Sequence, residues 1–307
     1  KLDKLQKEKN LPKLIYISGA GHSGTTILDL MISSSPEVFS IGEGKHYDDR
    51  ILGKNSTNPC SCNNSYSDCK YWKEIKEKES RKINFEGSLE IKHILKNLLN
   101  IIFFKIRFFQ PKQNTAISSW FSSCFEGAKK LKPEMQYILD SSKDPFHLYS
   151  LSSKIEYEIF IIHIIRDCRG YAYSYNNPQR KAEELEIKNY ARSLLEWILI
   201  NLLTIKVINS FELPFIRLSY EEFCENPDIL RKKLNSCLDI NIPNDFISAI
   251  NKDIHHNLEG NNLRFKKVES IEKDDKWEKN LPNFLKLVIG FFSSPVYKLL
   301  LRKSVGV

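Results

Sequence analysis

The sequence lacks an uncharged apolar run of the roughly 20 residues that a membrane-spanning helix needs. Its longest apolar stretches, WILINLLTI and LVIGFFSSPVY, have the length of core helices. The sequence therefore predicts no transmembrane segment. We expect a cytoplasmic protein, with a signal or anchor ahead of Lys1 as the alternative.

The chain also lacks the cysteine pattern of a disulfide scaffold, because its seven cysteines are spread over 307 residues. Three of them, Cys60, Cys62 and Cys69, cluster in NPCSCNNSYSDCKYW, with no His nearby in the sequence. This spacing leaves three hypotheses open: three ligands of a zinc site completed by a residue from elsewhere, one disulfide within a loop, or free thiols.

Neither sign of charge is in large excess, since 46 Lys and Arg against 38 Asp and Glu leave a net charge of +8. Such a balance is typical of a mildly basic, solvated surface and only weakly favours anionic ligands. We expect no nucleic-acid partner. The content of 41% hydrophobic residues is typical of a globular protein with a buried core.

Apolar runs of strand length alternate with helical periodicity along the chain. The runs LIYIS, QYILD, IFIIHIIR and PFIRLS predict buried parallel strands. Helical patterns within 27–33, 145–153 and 190–209 lie between them. This order predicts an α/β fold with a P-loop-type parallel sheet, helices on both faces, and ligands at the carboxyl ends of the strands.

Residues 45–135 break this alternation with the cysteine-bearing loop and a basic apolar segment, EIKHILKNLLNIIFFKIRFF. That segment predicts a helix packed on the core, or one that lies on a membrane surface or binds an acceptor. We expect residues 45–135 to form an insertion over the sheet, on the acceptor side. A single domain would then span 14–307, after a flexible segment at 1–13.

A glycine-rich turn, GAGHSGTT, follows the first predicted strand. Between a strand and a helix, its backbone N–H groups could bind a phosphate, although a turn without a ligand is the alternative. A nucleotide triphosphate loop has Lys after the second glycine, where this chain has Thr25. A kinase or nucleotide hydrolase is therefore only the second hypothesis. The candidate contacts are Gly21, His22, Ser23, Gly24, Thr25 and Thr26.

The stretch HSGTT resembles the 5′-phosphosulfate loop of sulfotransferases that use 3′-phosphoadenosine 5′-phosphosulfate (PAPS). In that family a basic residue, usually Lys or Arg, stands in the place of His22. The resemblance is closest to the tyrosylprotein and bacterial branches. It extends, in order, over residues 14–283.

The strand IFIIHIIR ends at Arg166, and Ser174 follows eight residues later on the next predicted helix. An Arg and a Ser two helical turns apart can face one phosphate. The resemblance implies that both hold the 3′-phosphate of PAPS. From the residues alone, an ion pair of Arg166 with Asp167 or another carboxylate is the alternative.

Two motifs resemble the family's catalytic residues. KDPF implies a catalytic role for Lys143, which could otherwise be a solvated amine beside a helix cap. The Glu of FSIGEGK, 21 residues after His22, implies a general base at Glu43, whose pKa burial would raise. His46 and Asp48 are nearby rivals for that role.

Two later stretches resemble nucleotide-binding segments of the family. LSYEEFCENP implies that Tyr220 lies by the adenine, where a core tyrosine is the alternative. GNNLRFKKVESIEKDDKWEKNLP resembles the basic loop that closes over the 3′-phosphate, with Arg264 and Lys266 as candidates.

The resemblance implies sulfuryl transfer from PAPS to an acceptor hydroxyl, with adenosine 3′,5′-bisphosphate (PAP) as the product and no metal required. Glu43 would accept the proton, while Lys143 and His22 stabilise developing charge. The acceptor could be a peptide tyrosine, a carbohydrate or a small alcohol. The third hypothesis is a non-catalytic binder of sulfated or phosphorylated ligands.

Overall fold

A six-stranded sheet lies at the centre of the described part of the chain. This computed structural model describes residues 13–83, 115–154, 157–177, 189–302 and 305–306. The segment EIKHILKNLLNIIFFKIRFF and residues 1–12 lie outside these ranges. The strands are β1 (Lys13–Ser18), β2 (Val38–Gly42), β3 (Tyr137–Lys143), β4 (Glu158–Ile165), β5 (Phe215–Ser219) and β6 (Val305–Gly306).

The strand order is β2-β3-β1-β4-β5-β6, and all neighbours are parallel except β5 and β6. The four predicted strands are confirmed as β1, β3, β4 and β5. β2 escapes prediction because it is five residues long and contains Ser40 and Gly42, which interrupt the apolar signal. β6 has only two residues.

Helices cover both faces of this sheet, and those predicted in 27–33, 145–153 and 190–209 are confirmed. The helices are α1 (Thr25–Ser33), α2 (Lys70–Lys78), α3 (Thr115–Leu131), α4 (Pro145–Lys154), α5 (Cys168–Asn176), α6 (Tyr190–Phe211), α7 (Tyr220–Glu225), α8 (Pro227–Leu238), α9 (Phe246–Lys252), α10 (Lys276–Asn280) and α11 (Asn283–Arg302). The predicted α/β architecture is thereby confirmed.

Successive residues of β1 belong to different cores, because side chains alternate between the two faces of a strand. Leu14 and Tyr16 pack with the aromatic residues Trp72 and Trp120 from the segment between β2 and β3. Residues of α1 and α8 pack on the other face with Ile15. Burial on both faces explains why β1 is a continuous apolar run.

Among the described residues, two helices, α6 and α11, are long and apolar enough to cross a membrane by length and composition. They contain the stretches WILINLLTI and LVIGFFSSPVY. Trp197 and Val207 of α6 are buried in the protein core, whereas α11 exposes Phe284 and Phe291. Core helices pass the same test of length and composition, so the absence of a transmembrane segment stays a prediction.

Candidate active site

The glycine loop leads from β1 directly into α1. Gly24 is the N-cap of α1, with a left-handed φ of 74° and no side-chain cap. A Cβ at this position would lie 2.8 Å from the Tyr220 ring, so both the conformation and the available space require glycine. The loop thus presents backbone N–H groups at the positive end of a helix, which is the chemistry of an anion site.

The two residues before Gly24 differ in their surroundings. His22 has a left-handed φ of 57°, and its ring lies edge-on to Tyr175 at 4.7 Å. Ser23 is fully buried, and among the described residues its Oγ has no hydrogen-bond partner. A buried hydroxyl without a partner is costly. A ligand oxygen bound in the loop would satisfy this donor.

Lys143 lies beside the glycine loop because β3 and β1 are neighbours. Its partner across the sheet is Ser18, the last residue of β1, next to a register shift in the pairing. Lys143 has a left-handed φ of 64°, a conformation that costs a non-glycine residue about 1–3 kcal/mol. Its Nζ lies 2.5 Å from Glu43 Oε1. The structure therefore brings two of the three candidate catalytic residues together.

Glu43 is ionised in this arrangement. Burial raises its pKa, but the charge of Lys143, a hydrogen bond with His46 and the charge of Lys45 outweigh burial and hold the pKa well below its usual range. The prediction of a raised pKa for Glu43 is therefore wrong for this structure. The reason is that the sequence does not reveal the ion pair with Lys143, because the two residues are 100 positions apart in the chain.

The backbone holds Glu43 at the end of β2. Its N–H donates to the carbonyl of Leu258 at 2.7 Å, and the N–H of Leu258 donates to Ile41 at 2.9 Å. The preceding residue, Gly42, has a φ of 69°, and a Cβ there would lie 2.5 Å from the Leu258 carbonyl oxygen. The segment around Leu258 thus extends the sheet beyond β2 and positions Glu43.

The rivals for the role of base lie in different places. His46 Nε2 is 3.5 Å from Glu43 Oε2, so this imidazole belongs to the same cluster. Asp48 instead accepts a hydrogen bond from the N–H of Ile83 at 2.9 Å. Asp48 therefore orders the chain after α2, whereas Glu43 and His46 lie in one cluster with Lys143.

Arg166 lies directly after β4, is 3% exposed, and contacts the glycine loop. Its Nη1 donates to the carbonyl of His22 at 2.6 Å. Its Nη2 donates to the Asp274 carbonyl at 2.8 Å and to Asp274 Oδ2 at 3.0 Å. Arg166 thus pairs with a distant carboxylate rather than with Asp167, which binds Arg169.

Ser174 lies on α5, as predicted, and is buried. Its Oγ donates to the carbonyl of Tyr171 at 2.7 Å. In this structure the two predicted 3′-phosphate contacts, Arg166 and Ser174, are both bonded within the protein, and a shared phosphate contact stays a prediction.

Tyr220 connects the glycine loop with Arg166. The Arg166 guanidinium lies 4.7 Å from the centre of the Tyr220 ring, and the ring also packs against Gly24. The Tyr220 hydroxyl accepts the N–H of Asp274 at 2.9 Å, and burial raises its pKa to about 12. The ring therefore forms one wall of the loop, where a base could stack.

The solved structures that share this architecture include two sulfotransferase domains. A sulfotransferase domain from the curacin biosynthetic pathway matches at a TM-score of 0.54 and 15% identity, over 94% of this chain and 99% of that domain. A sulfotransferase domain from the Synechococcus PCC 7002 olefin synthase matches at a TM-score of 0.50 and 14% identity, over 94% of this chain and 96% of that domain. This chain has the sulfotransferase fold. No family model and no curated protein matches the sequence.

Within this sulfotransferase fold, Arg264 and Lys266 lie on the segment that follows Leu258. Arg264 Nη1 donates to the carbonyls of Glu259 at 2.7 Å and Asn257 at 3.0 Å, and so braces its own loop. Lys266 is exposed, and both residues line a cavity of about 380 Å³. Their contact with a 3′-phosphate stays a prediction.

Sequence reasoning missed two charged residues of the site. Asp274 forms an ion pair with the guanidinium of Arg166. Lys45 Nζ lies 3.7 Å from Asp144 Oδ2, and the charge of Lys45 also lowers the pKa of Glu43. Lys45 could have been found from its place two residues after Glu43. Asp274 lies in a run of charged residues, KDDK, which offers no local signal.

Proposed function

We propose that this chain is a sulfotransferase that moves the sulfuryl group of PAPS to an acceptor hydroxyl. The observation that carries the proposal is the Lys143–Glu43 pair beside a glycine loop that has no lysine of its own. In a nucleotide triphosphatase the loop supplies its own cation. Here the cation comes from β3 and is paired with a carboxylate that can accept a proton.

The residues of the loop fit the phosphosulfate end of PAPS. α1 begins without a side-chain cap, Ser23 has a buried hydroxyl that lacks a partner among the described residues, and Gly24 leaves no room for a side chain. Thr25 and Thr26 add hydroxyls at the start of the helix. When bound, PAPS would supply an activated sulfuryl group held by these donors.

Arg166 fits the 3′-phosphate because its guanidinium presents donors that suit an anion. Its guanidinium already holds a carboxylate of Asp274, and guanidinium groups bind carboxylates and phosphates with the same fork of donors. A phosphate would take the place of the Asp274 carboxylate. This exchange is feasible because the Asp274 side chain is 41% exposed.

Glu43 is the proposed general base, and its strength would depend on Lys143. While the Lys143 ammonium binds Glu43, the carboxylate is a weak base because its pKa is held low. If the Lys143 ammonium turns toward the sulfuryl oxygens, Glu43 loses the charge that lowers its pKa most. Burial then raises the pKa of Glu43. Glu43 could accept the acceptor's proton, while Lys143 and His22 stabilise charge on the leaving oxygens.

The acceptor is proposed only as a hydroxyl, on a peptide tyrosine, a carbohydrate or a small alcohol. Two of the solved neighbours are sulfotransferase domains, one from a biosynthetic pathway and one from an olefin synthase. A small-molecule hydroxyl should therefore be assayed first.

Nucleotide binding tests the proposal. The melting temperature of the full chain should rise with PAP and not with ATP and magnesium, because a ligand stabilises the state that it binds. Arg166→Ala should lose the shift, whereas the control Arg192→Ala, at an exposed ion pair on α6, should keep it. A larger shift with ATP and magnesium would favour a kinase, and binding without turnover would favour a non-catalytic binder.

A further inference from the structure

Four metal-ligating side chains from two distant parts of the chain meet near the edge of β2. Cys60, Cys62 and Cys69 lie in the loop before and at the start of α2, and His256 follows α9. Their ligand atoms all lie within 4.8 Å of one another, and Cys69 Sγ is 3.2 Å from His256 Nδ1. We propose that these four residues bind one Zn²⁺ as a structural site.

The spacing of these atoms is close to that of a zinc centre. Bonds of about 2.3 Å to sulfur and about 2.0 Å to nitrogen place tetrahedral ligand atoms about 3.5–3.8 Å apart, so a contraction of about 1 Å would suffice. All seven cysteines of the chain are free thiols. A disulfide would use two sulfurs and leave a third thiol and the imidazole unexplained, whereas zinc uses all four groups.

The loop itself presents two of the sulfurs on one side. The N–H of Cys60 donates to the carbonyl of Asn64 at 2.7 Å, and the N–H of Asn63 donates to the carbonyl of Cys60 at 2.9 Å. Asn63 has a left-handed φ of 65°, which closes this turn. Asn64 Nδ2 lies 3.6 Å from Cys62 Sγ. Such a turn, with an N–H group directed at sulfur, suits thiolate ligands.

The other two ligands are held from outside the loop. Cys69 is the N-cap of α2, where the positive end of the helix favours a thiolate. His256 is fixed by a hydrogen bond of 2.7 Å from Trp72 Nε1 to its carbonyl, and its ring is nearly parallel to that of Phe39 at 6.2 Å. Cys62 and His256 border a cavity of about 700 Å³, which provides a route for the ion.

The position of the site suggests what the metal would do. Four protein ligands leave no open coordination position, so the zinc would be structural rather than catalytic. His256 lies two residues before Leu258, whose backbone pairs with Ile41 and Glu43. The ion would therefore tie the cysteine loop to the segment that positions Glu43.

Metal analysis of the full chain tests this proposal without any assay of activity. Protein purified under reducing conditions without a chelator should contain about one zinc per chain. Replacement by Co²⁺ should produce the visible spectrum of tetrahedral thiolate coordination. Cys69→Ser and His256→Ala should lose at least about tenfold in zinc affinity. The controls Cys237→Ser, at an exposed cysteine, and His255→Ala should keep the metal.

Because a misfolded variant would also lose metal, the wild-type protein must decide the question independently. Alkylation should spare Cys60, Cys62 and Cys69 until a chelator is added, whereas the core protects Cys124 and Cys168 in either case. The chelator should also lower the melting temperature. Zinc well below one equivalent after dialysis against Zn²⁺, with Cys62 equally reactive before and after the chelator is added, would overturn the proposal. So would an intact mass lighter by two hydrogen atoms under non-reducing conditions, because it reports a disulfide. Neither result bears on nucleotide binding.

Discussion

Replacing Lys143 by methionine should destabilise the protein by an amount that depends on pH. The side chains of Glu43 and Lys143 are 11% and 20% exposed. Removing one partner from a fully buried ion pair costs about 3–5 kcal/mol, and the residual exposure lowers our expectation for Lys143→Met to about 2–3 kcal/mol at pH 7.

The dependence on pH follows from the pKa of Glu43. Its folded pKa lies below the unfolded value of about 4.3, so the stability that it contributes is present above that pH and is lost as the pH falls. In Lys143→Met, burial acts with less opposition and the pKa of Glu43 rises. The difference in the free energy of unfolding between the two proteins should therefore be largest near neutral pH and shrink as the pH falls toward about 4, because Glu43 of the variant becomes protonated while Glu43 of the wild type stays ionised.

Urea unfolding at several pH values measures this difference. A double-mutant cycle with Glu43→Gln should give a coupling energy of about 1–3 kcal/mol at pH 7. The control Lys130→Met, at an exposed pair with Glu74, should change stability by less than about 0.5 kcal/mol. The assigned role of the pair would be refuted by a difference in the free energy of unfolding that stays constant from about pH 4 to about pH 8, or by a coupling energy near zero.

Three further changes test other parts of the site. Asp274→Asn should tighten PAP binding about two- to fivefold in calorimetry, because an ion pair with one partly exposed partner contributes only about 0.5–1 kcal/mol. Weaker binding would contradict the proposed exchange. Gly24→Ala should lower the free energy of unfolding in urea by about 1–3 kcal/mol, because of the left-handed φ and the contact with the Tyr220 ring. The control Gly290→Ala on α11, where a Cβ would lie 3.8 Å from the nearest atom, should not lower it. In a PAPS turnover assay Glu43→Gln should lower kcat about 100-fold or more and His46→Ala much less, and the reverse order would assign the base to His46.

Two cationic candidates of the site are engaged with carboxylates of the same chain. Lys143 pairs with Glu43, and Arg166 pairs with Asp274. Binding of an anionic nucleotide would exchange both carboxylates for ligand oxygens. Raised salt should therefore weaken nucleotide binding, because dissolved ions screen the attraction between these cations and the nucleotide.

Local sequence was sufficient for the features that depend on neighbouring residues. β1 is recognisable as an apolar run, and the glycine loop follows it with a helix, because turn and helix signals act over a few positions. The absence of lysine after Gly24 is likewise visible in the sequence, and it separates this loop from that of a nucleotide triphosphatase.

Strand order was needed for the contacts across long separations. β2 is short and contains a glycine, so Glu43 could be placed by resemblance but not on a strand end. Its contact with Lys143 requires β2 and β3 to be neighbours, which no local pattern predicts. The sign of its pKa shift follows from that contact.

By itself the sequence determined four of the six strands of the described sheet, the loop and the order of the motifs, since each depends on residues close together in the chain. Only the tertiary structure decided which charges meet and that His256 joins the three clustered cysteines. The physical reason is that an ion pair or a metal site depends on distances of a few ångströms in space. Such distances are set by how the sheet and its helices pack.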